Sequence, residues 1–482
     1  MSSFQHVFDR CDDLLNPIIV KELRQVVRGR FFWGVLILFL IFQCLVLSFS
    51  IAEKGMTSRH VGAEALEFLF GILFFASYVL IPVFNGMKFA KEQTEGTDEL
   101  LFITTITPEK IIMGKFAAGM VFILLIFSAF SPFMFMTFFL SGVDLSMTLL
   151  ALLAGLLFSS IGAMVQICCA ALSQDTHSQQ FFRGAGIFLQ VTTYFSLMGM
   201  GSEIMRYGGV RFAGFVGGPG LYSSILIMSL FLIYFLFKAA AAVIQPTGAD
   251  RMRPVRLTVT GGWLLTLVIA IYWAFEFSSA RFIILWGGIV CAALVVMTMV
   301  TVSERDSISE RVARDLPAGP TGRRLAFILS SGAAGGMAWV ALMTAFTVLV
   351  VNVFAGTTKV LYRGDLNEAS IAMLTFMSFT LGYGLFAVFI RRAFFSSLVE
   401  TRNNWVVMLL VFVGFSVLPM LLGVFVGSNS DLIMMGNPFV ASAKLAEGVL
   451  VGIGVLFAGL LTNFLWLKRQ VREFLTAGQS ER

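Results

Sequence analysis

Twelve apolar stretches follow one another along this sequence, and most of them are close to the length that a membrane span needs. The hydrocarbon core of a bilayer is about 30 Å thick, so an α-helix of roughly twenty apolar residues crosses it. Backbone N–H and C=O groups find no water in lipid, and each crossing segment must therefore satisfy them internally as a helix. The sequence predicts an all-α, polytopic transmembrane bundle of about twelve spans. The stretches lie near residues 31–51, 66–87, 116–141, 147–173, 184–200, 220–244, 258–275, 282–302, 325–354, 368–390, 405–427 and 445–467.

The amino-acid composition agrees with lipid as the main solvent. Hydrophobic residues make up 58% of the chain and charged residues 13%, whereas a soluble domain carries roughly 25% charged residues. The net charge of +6 does not point to nucleic acid, because the basic residues cluster in short segments between the apolar stretches. The five cysteines form no CxxC pair, so neither a disulfide framework nor a zinc site is expected.

The distribution of lysine and arginine predicts the orientation of the chain. With the N-terminus in the cytoplasm, the predicted cytoplasmic segments hold 26 of the 34 Lys and Arg residues, and the outer loops hold 8. Cytoplasmic loops of membrane proteins carry such an excess of positive charge. We therefore expect twelve spans with both termini cytoplasmic.

Two polar linkers divide the apolar part of the chain. Residues 246–257 contain two prolines and three arginines, and residues 303–324 form the longest polar stretch, in which a short helix followed by a loop is expected. Because polar, proline-containing stretches mark boundaries, we expect a six-span region at 31–245 and a second at 258–467. A cytoplasmic tail, 468–482, follows them.

The segment that precedes the first span, residues 1–30, ends in an amphipathic stretch. Asn16 and Pro17 suit the start of a helix, and at 100° per residue the apolar and polar side chains that follow fall on opposite arcs. Such a helix lies in the membrane interface with its basic face toward anionic headgroups. It serves either as a topology anchor or as a mechanical element. The residues assigned to this interfacial role are Lys21, Glu22, Arg24 and Arg28.

The loop between the second and third stretches, residues 88–115, has the features of an ordered segment. Gly96 ends the preceding helix, and Thr97 can cap a short new one. Asp98 and Glu99 then lie at the positive end of the new helix dipole. A threonine, a proline and a glutamate mark a further helix start before the third span. The loop is therefore expected to hold a short helix across the cytoplasmic face.

The same loop resembles the signature of type-2 ATP-binding-cassette exporter permeases. That signature has charged residues, Gly-Thr, an acid, a Leu-Leu pair, a turn rich in Thr and Pro, and Gly-Lys at the start of the third span. Two features depart from the family: Thr105 stands where proline is common, and the family core has six spans, so that 258–467 is an addition. The residues that match are Glu92, Glu95, Gly96, Thr97, Glu99, Leu100, Leu101, Gly114 and Lys115.

The resemblance implies a function and a set of site residues. In this family the loop forms a coupling helix that docks into a cleft on a separate ATPase subunit. The permeases pair as homodimers or heterodimers, and the bacterial ones lie in the inner membrane. The implied function is the permease subunit of an exporter, driven by ATP that the partner subunit binds and hydrolyses. The implied coupling residues are Glu92, Glu95, Gly96, Thr97, Asp98, Glu99, Leu100 and Leu101.

The sequence contains no nucleotide-binding loop and no recognisable catalytic group. Its Gly-Lys pair is followed by Phe116, so the G-x-x-x-x-G-K-[ST] pattern is missing. The histidines His6, His60 and His177 are far apart in the sequence, and no HExxH motif occurs. We therefore expect a transport subunit rather than an enzyme, with no cofactor and no metal of its own.

No charged residue lies near the middle of a predicted span. Ion-coupled carriers usually need intramembrane carboxylates, histidines or arginines. A twelve-span secondary carrier and a polytopic membrane scaffold are the alternatives, and dependence on an ion gradient would favour the carrier. Gly382 and Gly384 are expected where helices pack closely. The polar residues within spans are expected to form interhelical hydrogen bonds rather than to contact a substrate; they are Gln43, Gln166, Gln190 and Asn463.

Overall fold

The protein is helical throughout the part of the chain that its computed structural model describes. Those residues are 28–54, 61–94, 107–139, 145–172, 176–207, 219–246, 248–317, 319–357, 360–396, 399–426 and 434–477. No β-strand occurs within these ranges, which confirms the all-α prediction. The chain divides into two compact units, Met1–Gln245 and Pro246–Arg482. Each unit packs around a long helix of its own.

The first unit consists of long apolar helices. They are α1 (Arg30–Lys54), α2 (Val61–Phe74), α3 (Ile81–Thr94), α4 (Pro108–Met136), α5 (Leu145–Ala171), α6 (Thr176–Tyr207) and α7 (Pro219–Ile244). A π-helix, Phe75–Leu80, joins α2 to α3, and a 3₁₀ turn, Thr137–Phe139, follows α4. The central helix is α5, which packs against α3, α4, α6 and α7.

The second unit mixes long apolar helices with short polar ones. They are α8 (Met252–Glu276), α9 (Arg281–Val302), α10 (Glu310–Arg314), α11 (Pro320–Leu329), α12 (Ala333–Thr357), α13 (Val360–Phe394), α14 (Asn404–Val426), α15 (Pro438–Ala443), α16 (Leu445–Thr462) and α17 (Phe464–Thr476). A 3₁₀ turn, Thr401–Asn403, precedes α14. The central helix is α13, which packs against α9, α12, α14 and α16.

Nine helical segments in the described part of the chain are long and apolar enough to cross a bilayer. They are α2 continued into α3, α4, α5, α7, α8, α9, α12, α13 and α14. The pair α16 and α17 forms a tenth if it is taken as one span, although the two helices are bent by 63°. The described apolar stretch of α1, Trp33–Val46, is shorter, and α6 is long but rich in polar residues and glycine. Nine to ten such helices are thus shown, and the total of twelve stays a prediction.

Two of the predicted stretches differ from a single straight helix. The stretch near 325–354 contains the second half of α11 and all but the last residues of α12, and these two helices are separated at residues 330–332. The stretch near 445–467 ends as α16 at Thr462, and α17 then begins in a different direction. Apolar residues continue on both sides of each break, so hydropathy alone does not separate the helices.

Two glycines face each other where α13 and α16 cross. A Cβ atom on Gly382 would lie 2.8 Å from Cγ1 of Val455, and one on Gly459 would lie 3.1 Å from the carbonyl oxygen of Gly382. Lipid removes the hydrophobic driving force between membrane helices, and small residues allow the close backbone packing that replaces it. The predicted role of Gly382 in close helix packing is confirmed.

We expect Gly382→Leu to lower the melting temperature of the full chain in detergent, because the added side chain overlaps Val455. Overpacking of a tight contact costs about 1–3 kcal/mol. Scanning fluorimetry of the purified protein measures the shift. The matched control is Gly261→Leu, since a Cβ at Gly261 meets no described atom within 4 Å. Equal melting temperatures of the two variants would contradict the packing argument.

Candidate functional site

The structure describes the two helices that enter and leave the predicted coupling loop. Glu92 lies in the last turn of α3, and Arg28 is exposed shortly before α1. The other predicted site residues lie outside the described part of the chain; they are Lys21, Glu22, Arg24, Glu95, Gly96, Thr97, Asp98, Glu99, Leu100 and Leu101. The structure therefore shows how the ends of the loop are attached to the first unit.

An ion pair joins α3 and α4 close to the loop that connects them. Lys115 in the second turn of α4 donates from Nζ to Oε2 of Glu92, at 2.5 Å. Both side chains are largely buried, with 9% of Lys115 and 22% of Glu92 exposed. The ammonium group also lies 4.6 Å from the centre of the Phe89 ring, which adds a cation–π contact. The motif contains both charged residues, but only the structure shows that they pair.

A second ion pair joins the same end of α4 to α7. Lys238 donates from Nζ to Oε1 of Glu109, at 2.6 Å. Half of the Glu109 side chain is exposed, so the pair contributes at most about 1 kcal/mol to stability. The main effect of this ion pair is to fix the position of the start of α4, because Glu109 lies in the first turn of that helix, next to the loop. Together the two ion pairs hold the ends of α3, α4 and α7 beside one another.

The interior of the first unit contains a hydrogen-bonded chain of polar side chains. Gln166 on α5 donates from Nε2 to Oε1 of Gln190 on α6, at 2.5 Å. Gln190 in turn donates from its own Nε2 to the carbonyl oxygen of Tyr78 in the π-helix. Ser159 on α5 reaches the same π-helix through a 2.9 Å bond to Ser77. The π-helix is thus held by two neighbouring helices. Its Ser77 hydroxyl and its Tyr78 carbonyl are both hydrogen-bonded within the protein.

The four polar residues singled out within the apolar stretches are all buried and all bond to another helix. Besides Gln166 and Gln190, Gln43 on α1 donates to the Leu69 carbonyl at 3.5 Å. Asn463 donates to the Leu385 carbonyl at 2.9 Å. The prediction that these residues form interhelical hydrogen bonds is confirmed.

The second unit has a buried ion pair that the sequence did not reveal. Arg256 in the first turns of α8 is fully buried, and its Nη2 lies 2.5 and 2.6 Å from the two carboxylate oxygens of Glu304. The Gly332 N–H donates to the same carboxylate at 2.5 Å, and Nη1 of Arg256 donates to the carbonyls of Ile328 and Ser330. Burial raises the pKa of Glu304, an effect that Arg256 and the Gly332 N–H oppose.

The two polar linkers of the sequence meet around this ion pair. Asp250 accepts hydrogen bonds from the backbone N–H and the hydroxyl of Ser331, each at 2.8 Å. Ser309, which caps α10, donates to the Gly248 carbonyl at 2.8 Å. Gly336 leaves room for the guanidinium group, since a Cβ there would lie 2.5 Å from Nη2 of Arg256. The arrangement is a structural joint between α8, α9, α11 and α12.

An apolar groove of about 650 Å³ runs between α13 and α14. Its lining is almost entirely hydrocarbon, from Ile390 and Phe395 to Leu418, with Asn403 as a polar exception. Of the nine described segments that could cross a bilayer, the one that contains α14 is the least buried, with 11% of its most apolar part buried inside the protein. A groove on such a helix is filled by lipid chains in a bilayer, so it does not by itself define a substrate site.

Neither metal chemistry nor similarity to known proteins assigns a function to these contacts. Among the described residues no group of three or more His, Cys, Asp and Glu side chains could hold a metal ion. Comparison of the chain with models of protein families, with curated proteins and with solved structures finds no match. The residues of the loop and the contacts at its two ends are therefore the main indications of function.

We expect Lys115→Glu to destabilise the first unit, because it places two carboxylates together at a largely buried position. Leaving a buried charged group without its partner costs about 1–3 kcal/mol or more. The double variant Glu92→Lys/Lys115→Glu restores opposite charges and should regain most of the lost melting temperature. Scanning fluorimetry in detergent of the wild type and of both variants measures the melting temperatures. A double variant no more stable than Lys115→Glu alone would count against the ion pair.

Removal of one partner of the buried pair in the second unit should be more costly. Arg256→Met leaves the Glu304 carboxylate buried without its cation, which destabilises by about 3–5 kcal/mol. The pair Arg256→Met/Glu304→Met replaces both charges by apolar side chains and should be closer to the wild type than the single variant is. Thermal unfolding in detergent measures both. If Arg256→Met melts like the wild type, the joint is not stabilised by this pair.

Proposed function

We propose that the chain is the membrane-spanning permease subunit of an ATP-binding-cassette exporter, and that a separate polypeptide supplies the ATPase. The observation that carries the proposal is the loop at 88–115, where the family pattern occurs in order between the second and third apolar stretches. The proposed location is a bacterial inner membrane with both termini in the cytoplasm, and the proposed assembly pairs two permeases with their ATPase subunits.

The attachment of the loop supports a role in transmitting force. A segment that is pushed from outside the bilayer moves a transporter only if its ends are firmly joined to the spans. Here the two ends of the loop are joined to each other by Glu92 and Lys115, and the start of α4 is joined to α7 by Glu109 and Lys238. A displacement of residues 95–106 would therefore act on three helices together.

The distribution of charge favours a transporter that is powered from outside the bilayer. In the described helices that can cross a membrane, every Asp, Glu, Lys and Arg lies in the terminal third of its helix. The interior polar residues Gln166, Gln190 and Asn463 are hydrogen-bonded to protein. Ion-coupled carriers generally place ionisable groups within their spans. A secondary carrier is therefore the weaker alternative, and no specific observation favours a scaffold.

The first test is a pull-down of the tagged full chain from its native host in mild detergent, with mass spectrometry of the proteins that come with it. We expect a stoichiometric partner that carries a G-x-x-x-x-G-K-[ST] loop. Scrambling residues 95–106 should abolish its recovery, and scrambling residues 208–218 within the predicted outer loop 201–219 should not. A chain that is recovered without any ATPase, under conditions where membrane complexes survive, would reject the permease proposal.

Single substitutions in the loop should uncouple the complex without preventing membrane insertion. Gly96→Pro changes the backbone at the predicted helix start, and Glu95→Ala removes a charge that the family pattern contains. We expect both to reduce the ATPase-dependent transport of the complex by tenfold or more, while the amount of protein in the membrane stays the same. Transport at the wild-type rate in both variants would contradict the coupling role of the loop.

A further inference from the structure

The helix α17 (Phe464–Thr476) is bent away from α16, which forms most of the predicted span at 445–467. Asn463 stands between α16 and α17 with φ −105° and ψ 6°, outside the α-helical region. Its side-chain amide donates to the Leu385 carbonyl on α13 at 2.9 Å, which docks the break against the central helix. The two helices are bent by 63° at this point. For α16 along the bilayer normal, this bend of 63° would place α17 at about 27° from the membrane plane (90° − 63°).

One face of α17 is fixed to the second unit along its whole length. Trp466, Gln470 and Phe474 follow one another at four-residue intervals and are all buried. The guanidinium group of Arg392 lies 5.6 Å from the Trp466 ring, and the Phe474 ring packs edge-on against Phe327 of α11, at 5.4 Å. The last turn is held as well, because Arg323 of α11 donates to the Leu475 carbonyl at 2.6 Å.

The opposite face of α17 combines cations with large apolar side chains. At 100° per residue, Leu465, Lys468 and Arg472 fall within one 60° arc, centred roughly opposite the buried residues. Leu465 is 80% exposed and the neighbouring Phe464 is 58% exposed. Lys468 and Arg472 are exposed beside them. In water alone this face would expose large apolar side chains, and among lipid chains alone it would bury two cations.

We infer that α17 is an anionic-phospholipid site in the leaflet at which α16 ends. The exposed Phe464 and Leu465 enter the boundary between acyl chains and headgroups, and Lys468 and Arg472 extend to phosphate groups at the same depth. Helices with this division of apolar and basic residues bind in the membrane interface, and each nearby cation strengthens binding to anionic lipid. The direct continuity of α17 with α16, in the predicted span at 445–467, holds it at that depth. The inference does not depend on the permease proposal.

The distribution of charge along α17 indicates which cations act on the lipid. Arg469 is paired with Glu473 at 2.8 Å, one helical turn away, and both side chains are exposed. Part of its charge is therefore offset within the helix. Lys468 and Arg472 lie closer to the centre of the exposed face and carry the interaction. Removal of the Glu473 charge should release Arg469 to contribute as well.

The experiment is a titration of the full-length protein, purified in neutral detergent, with phosphatidylglycerol and with phosphatidylcholine. Native mass spectrometry counts the bound lipids. We expect tighter binding of phosphatidylglycerol, and a loss of roughly thirtyfold in its apparent affinity in Lys468→Gln/Arg472→Gln, at about fivefold for each cation. The matched control is Arg311→Gln/Arg314→Gln, which removes the same charge from exposed positions of α10 and should bind like the wild type.

A variant that is expected to bind lipid more tightly separates the effect on binding from an effect on protein stability. Glu473→Gln should bind phosphatidylglycerol more tightly than the wild type, which an unfolded or damaged protein would not do. Equal binding of both lipids by the wild type, or wild-type binding by Lys468→Gln/Arg472→Gln, would overturn the inference. The inference would also be overturned if Lys468→Gln/Arg472→Gln kept its lipid binding but lost a soluble protein that co-purifies with the wild type. The helix α17 would then be a site for docking a protein.

Discussion

The absence of water from the bilayer interior is the constraint on which this structure depends. A regular α-helix meets that constraint for its own backbone, but an irregular turn does not. At three of the described irregularities a side-chain hydrogen bond connects the irregular segment to another helix. Gln190 bonds to the π-helix at Tyr78, Asn463 ties its own break to α13, and Arg256 binds the carbonyls that end α11. At these three places a bond between helices accompanies the departure from a regular helix.

The same constraint separates the two kinds of polar contact. Amide and hydroxyl groups such as Gln166, Gln190 and Ser159 bond deep in the first unit, where a charge would be costly to keep. Ion pairs lie near the helix ends, where Glu92 meets Lys115 and Arg256 meets Glu304. Uncharged hydrogen bonds thus position the middles of the helices, and charges position their ends. The helix ends are also where a cytoplasmic partner could act.

Hydropathy and charge predict a large part of this fold, because burial in lipid leaves a local record in the sequence. The long apolar helices coincide with apolar stretches, and the isolated amides within them bond to neighbours as expected. The pair of Arg256 and Glu304 could not be predicted in this way, since 48 residues separate them and each looks like an ordinary linker residue. The break at Asn463 was hidden because Phe464 and Leu465 continue the apolar stretch. The ends of the loop at 88–115 are described, while its central helix and its coupling role stay predictions.

The π-helix Phe75–Leu80, between α2 and α3, also determines which way the end of α3 faces. A π-turn amounts to one extra residue in an α-helix, and each residue of an α-helix turns the chain by about 100°. Residues 81–94 are therefore rotated by that angle relative to an uninterrupted helix. Without the extra residue Glu92 would point away from Lys115, and the loop would leave α3 from another side of the bundle. A feature buried among Ala76, Ser77 and Tyr78 thus sets, some four turns away, the direction in which the chain emerges.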